Sequence, residues 1–121
     1  MKQLIVPAAI GLVAAALVYL LNVPLKLGAH PFWADRVILV GAPIGILLGL
    51  ATTRFTYLAR VFGLIALTGI AYTVAQIGKT RFAASYAEDA FGGHMWFFGW
   101  HAVCVFAVAV VVALAAKGSR S

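Results

Sequence analysis

The residues that could do chemistry are concentrated in one polar stretch of the chain, residues 79–101. This stretch contains two of the three acidic residues, two of the three histidines and two of the three tryptophans. Its histidines, His94 and His101, are seven residues apart, so on a helix they share one face and are separated by about 10.5 Å along the axis. One metal ion cannot bind both of them, because zinc–nitrogen bonds are only about 2.0–2.1 Å long.

A closer pair of soft ligands follows in the sequence. His101 and Cys104 are three residues apart, which on a helix lets both reach one soft ion such as copper. A third ligand would have to come from another segment, and His30 is the candidate. His94, His101 and Trp100 are also the candidates for holding a haem or a quinone. We expect instead that the histidines form interfacial or interhelical hydrogen bonds, and we predict no metal and no cofactor.

Aromatic residues surround these histidines: Trp96, Phe97, Phe98 and Trp100. Tryptophan is enriched where a membrane meets water, so the cluster is typical of an interfacial aromatic belt. A flat pocket for a quinone, a pigment or a lipid tail is the alternative, because such ligands need apolar walls with a few polar groups.

The composition excludes an ordinary soluble domain. Of the 121 residues, 64% are hydrophobic and 10% are charged, with a mean hydropathy of +1.05, whereas soluble domains carry about 25% charged residues. The length suits a single domain, residues 1–121. The net charge of +6 does not indicate nucleic-acid binding, because the basic residues lie at the ends of apolar runs, where Lys and Arg reach lipid headgroups. A single cysteine excludes an intrachain disulfide.

Four apolar runs indicate transmembrane helices. They cover residues 4–21, 37–53, 57–77 and 95–116, and each approaches the roughly 20 residues that cross a bilayer. The first run is too long for a signal-peptide core, so we expect it to be retained, ending at Asn22 and Pro24. We therefore predict an all-α integral membrane protein with four transmembrane helices in an up-down bundle, in the inner (plasma) membrane of a bacterium.

The second run carries the clearest packing signal. Gly41, Gly45 and Gly49 repeat every four residues and leave one face of the helix nearly bare. In lipid, helices associate through close backbone contact, which small residues permit. The stripe is therefore predicted to pack on another helix, either in the same chain or in a partner.

The stretch between the third and fourth runs is predicted to form a short amphipathic helix at the membrane interface. Within residues 79–93, apolar side chains recur every four residues from Phe82 to Ala90, while the polar side chains point elsewhere. Gly92 and Gly93 supply the corner before the last run. The polar side chains form a candidate contact surface for a partner protein: Lys79, Arg81, Glu88 and Asp89.

The basic residues weakly favour one orientation. Four spans place both termini on the same side of the membrane, and that side has five basic residues and no acid: Lys2, Arg54, Arg60, Lys117 and Arg120. The opposite side has four basic residues and all three acids: Lys26, Arg36, Lys79, Arg81, Asp35, Glu88 and Asp89. The side richer in Lys and Arg usually faces the cytoplasm. We therefore predict that both termini are cytoplasmic. In the first turn of the third run, Arg60 is placed so that it is able to reach outward to the headgroups.

These features favour a non-enzymatic accessory or scaffold subunit that binds a membrane-protein partner or self-associates within the lipid bilayer. The predicted spans contain no carboxylate, and proton-coupled transporters need one. A small oligomeric transporter or channel is the first alternative, with single or dual topology because the two sides differ little in basic residues. A protein that handles haem, copper or a quinone through His94, His101 and Cys104 is the second.

Overall fold

The computed structural model describes residues 2–23, 26, 34–84 and 90–116. Within these ranges all regular structure is helical, and a short 3-10 turn, Thr52–Arg54, separates the second and third helices. The four α-helices are α1 (Lys2–Leu20), α2 (Ala34–Ala51), α3 (Tyr57–Ala84) and α4 (Ala90–Ala115). The prediction of an all-α chain with four helices is confirmed for the described residues.

Among the described residues, three helical segments are long and apolar enough to cross a membrane: Arg36–Arg54, Tyr57–Ala84 and Ala90–Ala115. In α1 the apolar helix covers a shorter range, Ile5–Leu20. Helices α3 and α4 have 28 and 26 residues, which at 1.5 Å per residue gives lengths of about 42 and 39 Å. Both exceed the roughly 30 Å of hydrocarbon in a typical bilayer.

Helix α1 ends where the sequence predicts. Asn22 adopts a left-handed backbone conformation, with φ of 54°, which asparagine tolerates because its short polar side chain can bond locally. The N–H of Leu21 donates to the carbonyl oxygen of Leu17 at 2.9 Å, and that of Asn22 donates to the carbonyl oxygen of Tyr19 at 3.2 Å. These bonds satisfy carbonyl oxygens in the last turn of α1.

Threonine side chains form the tight corner between α2 and α3. The hydroxyl of Thr52 donates to the carbonyl oxygen of Gly49 at 2.7 Å, and Thr53 makes the same bond one residue later. Both bonds satisfy carbonyls at the end of α2, where backbone acceptors lack partners in the helix. The hydroxyl of Thr56 then accepts from the N–H of Ala59 at 3.3 Å, as a helix N-cap does.

Helix α4 is the central helix, because each of the other three packs against it. Helices α1 and α2 also pack on each other, whereas α3 packs mainly on α4. One buried cluster joins all four helices and consists of Ala15, Val37, Ile38, Ala42, Ala75, Trp100, Cys104 and Val108. A second joins α3 to α4 and consists of Val61, Leu64, Ala109 and Ala113.

The contacts along α4 fix the direction of its neighbours. Helix α2 runs parallel to α4, since Gly41 lies against Cys104 and Gly49 lies against Val112. Helix α3 runs antiparallel to α4, since Ala75 lies against Gly99 whereas Val61 and Leu64 pack with Ala109 and Ala113.

The separate amphipathic helix predicted for residues 79–93 is wrong for the residues that the structure describes. Residues 79–84 continue α3 and residues 90–93 begin α4. Gly92 and Gly93 are helical and do not form a corner: Gly92 lies against Gly78, and Gly93 faces the ring of Phe82. The Phe82 ring centroid is 5.8 Å from that of Trp96, so Phe82 contributes to the packing of α3 on α4.

Candidate functional site

The glycine stripe of α2 packs inside the chain, against α4. A Cβ added at Gly45 would lie 2.5 Å from the carbonyl oxygen of Val105 and 2.9 Å from the Cβ of Val108. Gly41 and Gly49 approach α4 similarly closely. Close approach of this kind is what small residues allow between membrane helices. Because α4 occupies this surface, contacts with a partner have to be made by another face of the molecule.

A second set of small residues brings α3 against α4. A Cβ added at Gly99 would lie 2.8 Å from the Cα of Ala75. Near the other end of this contact, Gly78 is buried against the backbone of Gly92 and Trp96. The face of α3 that carries Ala75 and Gly78 is therefore fully occupied by α4.

A buried arginine joins the α2–α3 corner to the end of α4. Arg60 is 3% exposed, and its guanidinium donates to the carbonyl oxygens of Ala116 (2.7 Å), Phe55 (3.0 Å) and Ala113 (3.4 Å). The guanidinium carbon also lies 5.2 Å from the ring centroid of Tyr57. A cation at a helix C-terminus is favourable because the last carbonyls lack partners in the helix and carry partial negative charge. Arg60 therefore points inward, and the prediction that it reaches the headgroups is wrong.

The two histidines of α4 lie in different surroundings. His94 is exposed, with its ring centroid 6.1 Å from that of Phe98. His101 is half-buried, its Nδ1 donates to the carbonyl oxygen of Phe97 at 2.8 Å, and the two rings are 4.4 Å apart. A carbonyl oxygen only accepts, so this bond places a proton on Nδ1. The bond lies within α4, so it does not join two helices.

Cys104 is buried where α4 meets α2. It is 7% exposed, and its Sγ is 3.0 Å from the position that a Cβ on Gly41 would take. In the part of the chain that the structure describes, no group of three or more His, Cys, Asp or Glu side chains is placed to hold a metal ion. His30, the third candidate ligand, lies outside the described residues.

Trp100 is a core residue. It is 2% exposed, and its ring packs edge-to-face on Tyr72 with centroids 5.7 Å apart. Among the described residues, its Nε1 has no hydrogen-bond acceptor. Burying an N–H group without an acceptor costs free energy. The packing of the Trp100 ring against its apolar neighbours must offset that cost. Trp100 therefore does not belong to a belt at the lipid surface, in contrast to the expectation from the sequence.

The predicted partner-contact residues are only partly described. Lys79 is half-buried and Arg81 is exposed, both in the last turns of α3. The guanidinium carbon of Arg81 lies 5.2 Å from the ring centroid of Phe91, and its Nη1 lies 3.7 Å from the sulfur of Met95. These contacts fix Arg81 beside the start of α4. Glu88 and Asp89 lie outside the described residues.

The outer face of α3, opposite its contact with α4, carries the candidate site. An open groove of about 430 Å³ on this face is lined by Tyr72, Thr73, Gln76, Ile77, Thr80 and Arg81. Nearer the start of α3 than the groove, Gly63 and Gly69 are exposed, and a Cβ added at either would meet no atom within 4 Å. We use "outer face of α3" for Gly63, Gly69, Thr73, Gln76, Ile77 and Thr80.

The sequence contains a signal for this face. Thr73 and Thr80 are seven residues apart, and so are Gly69 and Gln76. This spacing puts each pair on one side of a helix. The signal is weaker than the glycine stripe of α2 because it mixes glycine with hydroxyl and amide side chains.

Comparison of the chain with protein-family models, with curated proteins and with solved structures finds no match in any of the three.

Proposed function

We propose that this chain is an integral membrane protein whose four helices cross the bilayer in alternating directions. Three described segments have the length and composition to cross, and the apolar part of α1, Ile5–Leu20, is somewhat shorter than the roughly 20 residues that span hydrocarbon. Every helix has large apolar side chains that are more than half exposed, for example Leu12, Leu47, Phe62 and Phe98. Lipid accommodates such surfaces, whereas water does not.

The orientation and the membrane are part of the proposal. Both termini lie in the cytoplasm and the membrane is a bacterial inner membrane. The supporting observation is the small excess of basic residues on the side of the termini, where Arg54 is exposed at the α2–α3 corner.

Within the membrane, the chain acts as a non-enzymatic accessory subunit, and the outer face of α3 docks on a transmembrane helix of another membrane protein. One observation carries this proposal: Gly69, Thr73 and Gln76 lie on the face of α3 that points away from α4. Helices in lipid associate through small residues and through hydrogen bonds from hydroxyl and amide side chains. The glycine stripe of α2 does not provide this surface, because α4 already covers it.

The polar side chains of the outer face of α3 can form hydrogen bonds with a neighbouring protein helix, whereas lipid acyl chains offer them no hydrogen-bond partner. The hydroxyl of Thr73 donates to the carbonyl oxygen of Gly69 at 2.9 Å, and its oxygen can still accept a bond from a partner. In lipid no water is present to use that acceptor. A neighbouring helix with a donor at the same depth would therefore bind here in preference to acyl chains.

The test is co-purification of the tagged chain from its own membranes in mild detergent, with a photo-crosslinker at Ile70, which is exposed beside Gly69. We expect a stoichiometric membrane-protein partner that crosslinks at Ile70 and is lost in Gly69→Leu and Thr73→Leu. The matched control is Ala9→Leu, at a small exposed residue on α1, and it should retain the partner. A chain that runs as a lone monomer and forms no crosslink contradicts the proposal.

The polar groove also favours a second candidate, a small oligomeric transporter or channel. Two copies facing each other through the outer face of α3 would enclose hydroxyl and amide groups between them, and such groups line polar pathways in membranes. Co-purification of two differently tagged copies through Ile70 crosslinks, with no second protein present, would favour this candidate over the accessory subunit.

A further inference from the structure

A second groove lies on the other side of the molecule, between α1 and α2, with a volume of about 370 Å³. Buried Ala15 and Ala42 lie at its base, and exposed Leu12 and Leu39 form its rims. Alanine at the base leaves a hollow that a larger side chain would fill. The groove therefore exists because both of these positions are occupied by alanine.

The chemistry of the groove is almost wholly apolar. Among its lining residues only Tyr19 has a polar side-chain atom, and Pro43 lacks even a backbone N–H. A ligand here would contact apolar side chains along its length and would find almost no hydrogen-bond partner. A hydrocarbon chain has this chemistry.

The groove is too small to hold a helix. From Leu12 to Leu20 the groove follows α1 for about 12 Å at 1.5 Å per residue. A helix of that length, with a diameter of about 10 Å, has a volume on the order of 1,000 Å³, whereas the groove holds about 370 Å³. A helix would rest on the rims and leave the base empty.

Exposed basic residues lie close in the sequence to the helical segments that line one end of the groove. Gly11 faces Ile46, and the groove runs from Leu12 to Leu20 along α1, so the end of α1 lies beside the start of α2. Arg36 is exposed at the start of α2 and precedes Leu39 by three residues, which places both on one face of the helix. Lys26 is exposed one helical turn after Asn22, to whose carbonyl oxygen its N–H donates at 3.1 Å.

We propose that this groove binds an anionic phospholipid, with one acyl chain on Ala15 and Ala42 and the phosphate at Arg36 and Lys26. Lys and Arg near the ends of membrane helices reach to the headgroup level, and they attract anionic headgroups. Such binding rests on the proposed insertion into a bilayer. It does not depend on the outer face of α3, which lies on a different helix.

The experiment uses the full-length chain purified in detergent. Its thermal unfolding midpoint is measured while phosphatidylglycerol or phosphatidylcholine with identical acyl chains is added, and bound lipid is counted by native mass spectrometry. We expect a larger upward shift and more bound lipid with phosphatidylglycerol. Ala16→Phe, which fills the groove from an exposed position, should lose the shift with both lipids. The double variant Lys26→Gln/Arg36→Gln should respond equally to the two lipids.

Two matched controls isolate the site. Ala9→Phe adds the same ring to α1 outside the groove, and Arg54→Gln removes an exposed cation near the opposite end of α2; both should behave like the unmodified chain. Equal responses of the unmodified chain to the two lipids, or a full shift in Ala16→Phe, would overturn the lipid site. An Ala16→Phe variant that changes only the oligomeric state would also overturn it, in favour of a second copy on this face. A separate test addresses the proposed insertion: if alkaline carbonate releases the chain from membranes, the insertion is wrong, whatever the result of the lipid experiment.

Discussion

The Nη2 of Arg60 donates to the carbonyl oxygen of Ala116, 56 residues later in the chain, at 2.7 Å. The same guanidinium donates to the carbonyl oxygen of Phe55 at 3.0 Å. One buried side chain thus ties the corner between α2 and α3 to the end of α4. Because a guanidinium carries five N–H donors in a fixed plane, it can serve carbonyls from two elements at once.

Replacing this arginine is expected to destabilise the fold. In Arg60→Gln the carbonyl oxygens of Ala113 and Ala116 lose their charged donor, and leaving buried acceptors unsatisfied costs about 1–3 kcal/mol. The measurement is reversible unfolding by a denaturing detergent in mixed micelles. Arg54→Gln, at an exposed position of the same corner, should change the free energy of unfolding by less than about 0.5 kcal/mol. Equal effects of the two substitutions would show that Arg60 does not hold the end of α4.

Adding one methyl group at the contact of α2 with α4 is expected to destabilise the fold. Gly45→Ala would force its Cβ to 2.5 Å from the carbonyl oxygen of Val105, so the helices must separate, at a cost of about 1–3 kcal/mol. Gly69→Ala is the matched control, because a Cβ there meets nothing within 4 Å. It should leave stability unchanged or raise it by up to about 1 kcal/mol, since alanine favours helix over glycine. The same unfolding assay checks both, and a tolerated Gly45→Ala would contradict the close contact.

The thiol of Cys104 should be protected in the folded protein. It is 7% exposed and lies against Gly41, so a maleimide cannot reach it without separation of α2 from α4. Labelling followed by mass spectrometry should show little reaction in mild detergent and full reaction after denaturation. A cysteine placed at exposed Leu47 by Leu47→Cys serves as the reactive control. Rapid labelling of Cys104 in the native protein would mean that this contact is open.

The haem, copper or quinone alternative for His94, His101 and Cys104 has its own test. Among the described residues, no three His, Cys, Asp or Glu side chains are grouped to hold a metal ion, and Cys104 is buried at the α2 contact. We therefore expect the purified chain to show no haem absorption band and no stoichiometric copper. A band or bound copper that disappears in His101→Ala would support the alternative over the accessory subunit.

Local features were readable from the sequence. Asn22 ends α1 at the expected position because a left-handed residue stops a helix by its own backbone conformation. The apolar runs gave the number of helices because about 20 apolar residues in succession have few other folds available. These features depend on neighbours in sequence alone.

Features that depend on distant partners were not readable. Gly92 and Gly93 resemble a corner, since glycine suits turns, yet here they allow α3 to approach α4 at Gly78 and Phe82. Two acceptors of Arg60, the carbonyl oxygens of Ala113 and Ala116, lie at the end of α4, more than fifty residues away. A position near the end of an apolar run does not distinguish an arginine that reaches lipid headgroups from one that caps another helix.

The most direct test of the proposed membrane topology is the side on which two engineered cysteines react. In a Cys104→Ala background, Arg54→Cys lies at the corner after α2 and Glu88→Cys lies between α3 and α4. A membrane-impermeant maleimide is applied to sealed vesicles of one orientation, before and after the vesicles are opened. We expect the two cysteines to react from opposite sides, because α3 crosses the bilayer between them. Reaction of both from the same side in every molecule would contradict the membrane-spanning account.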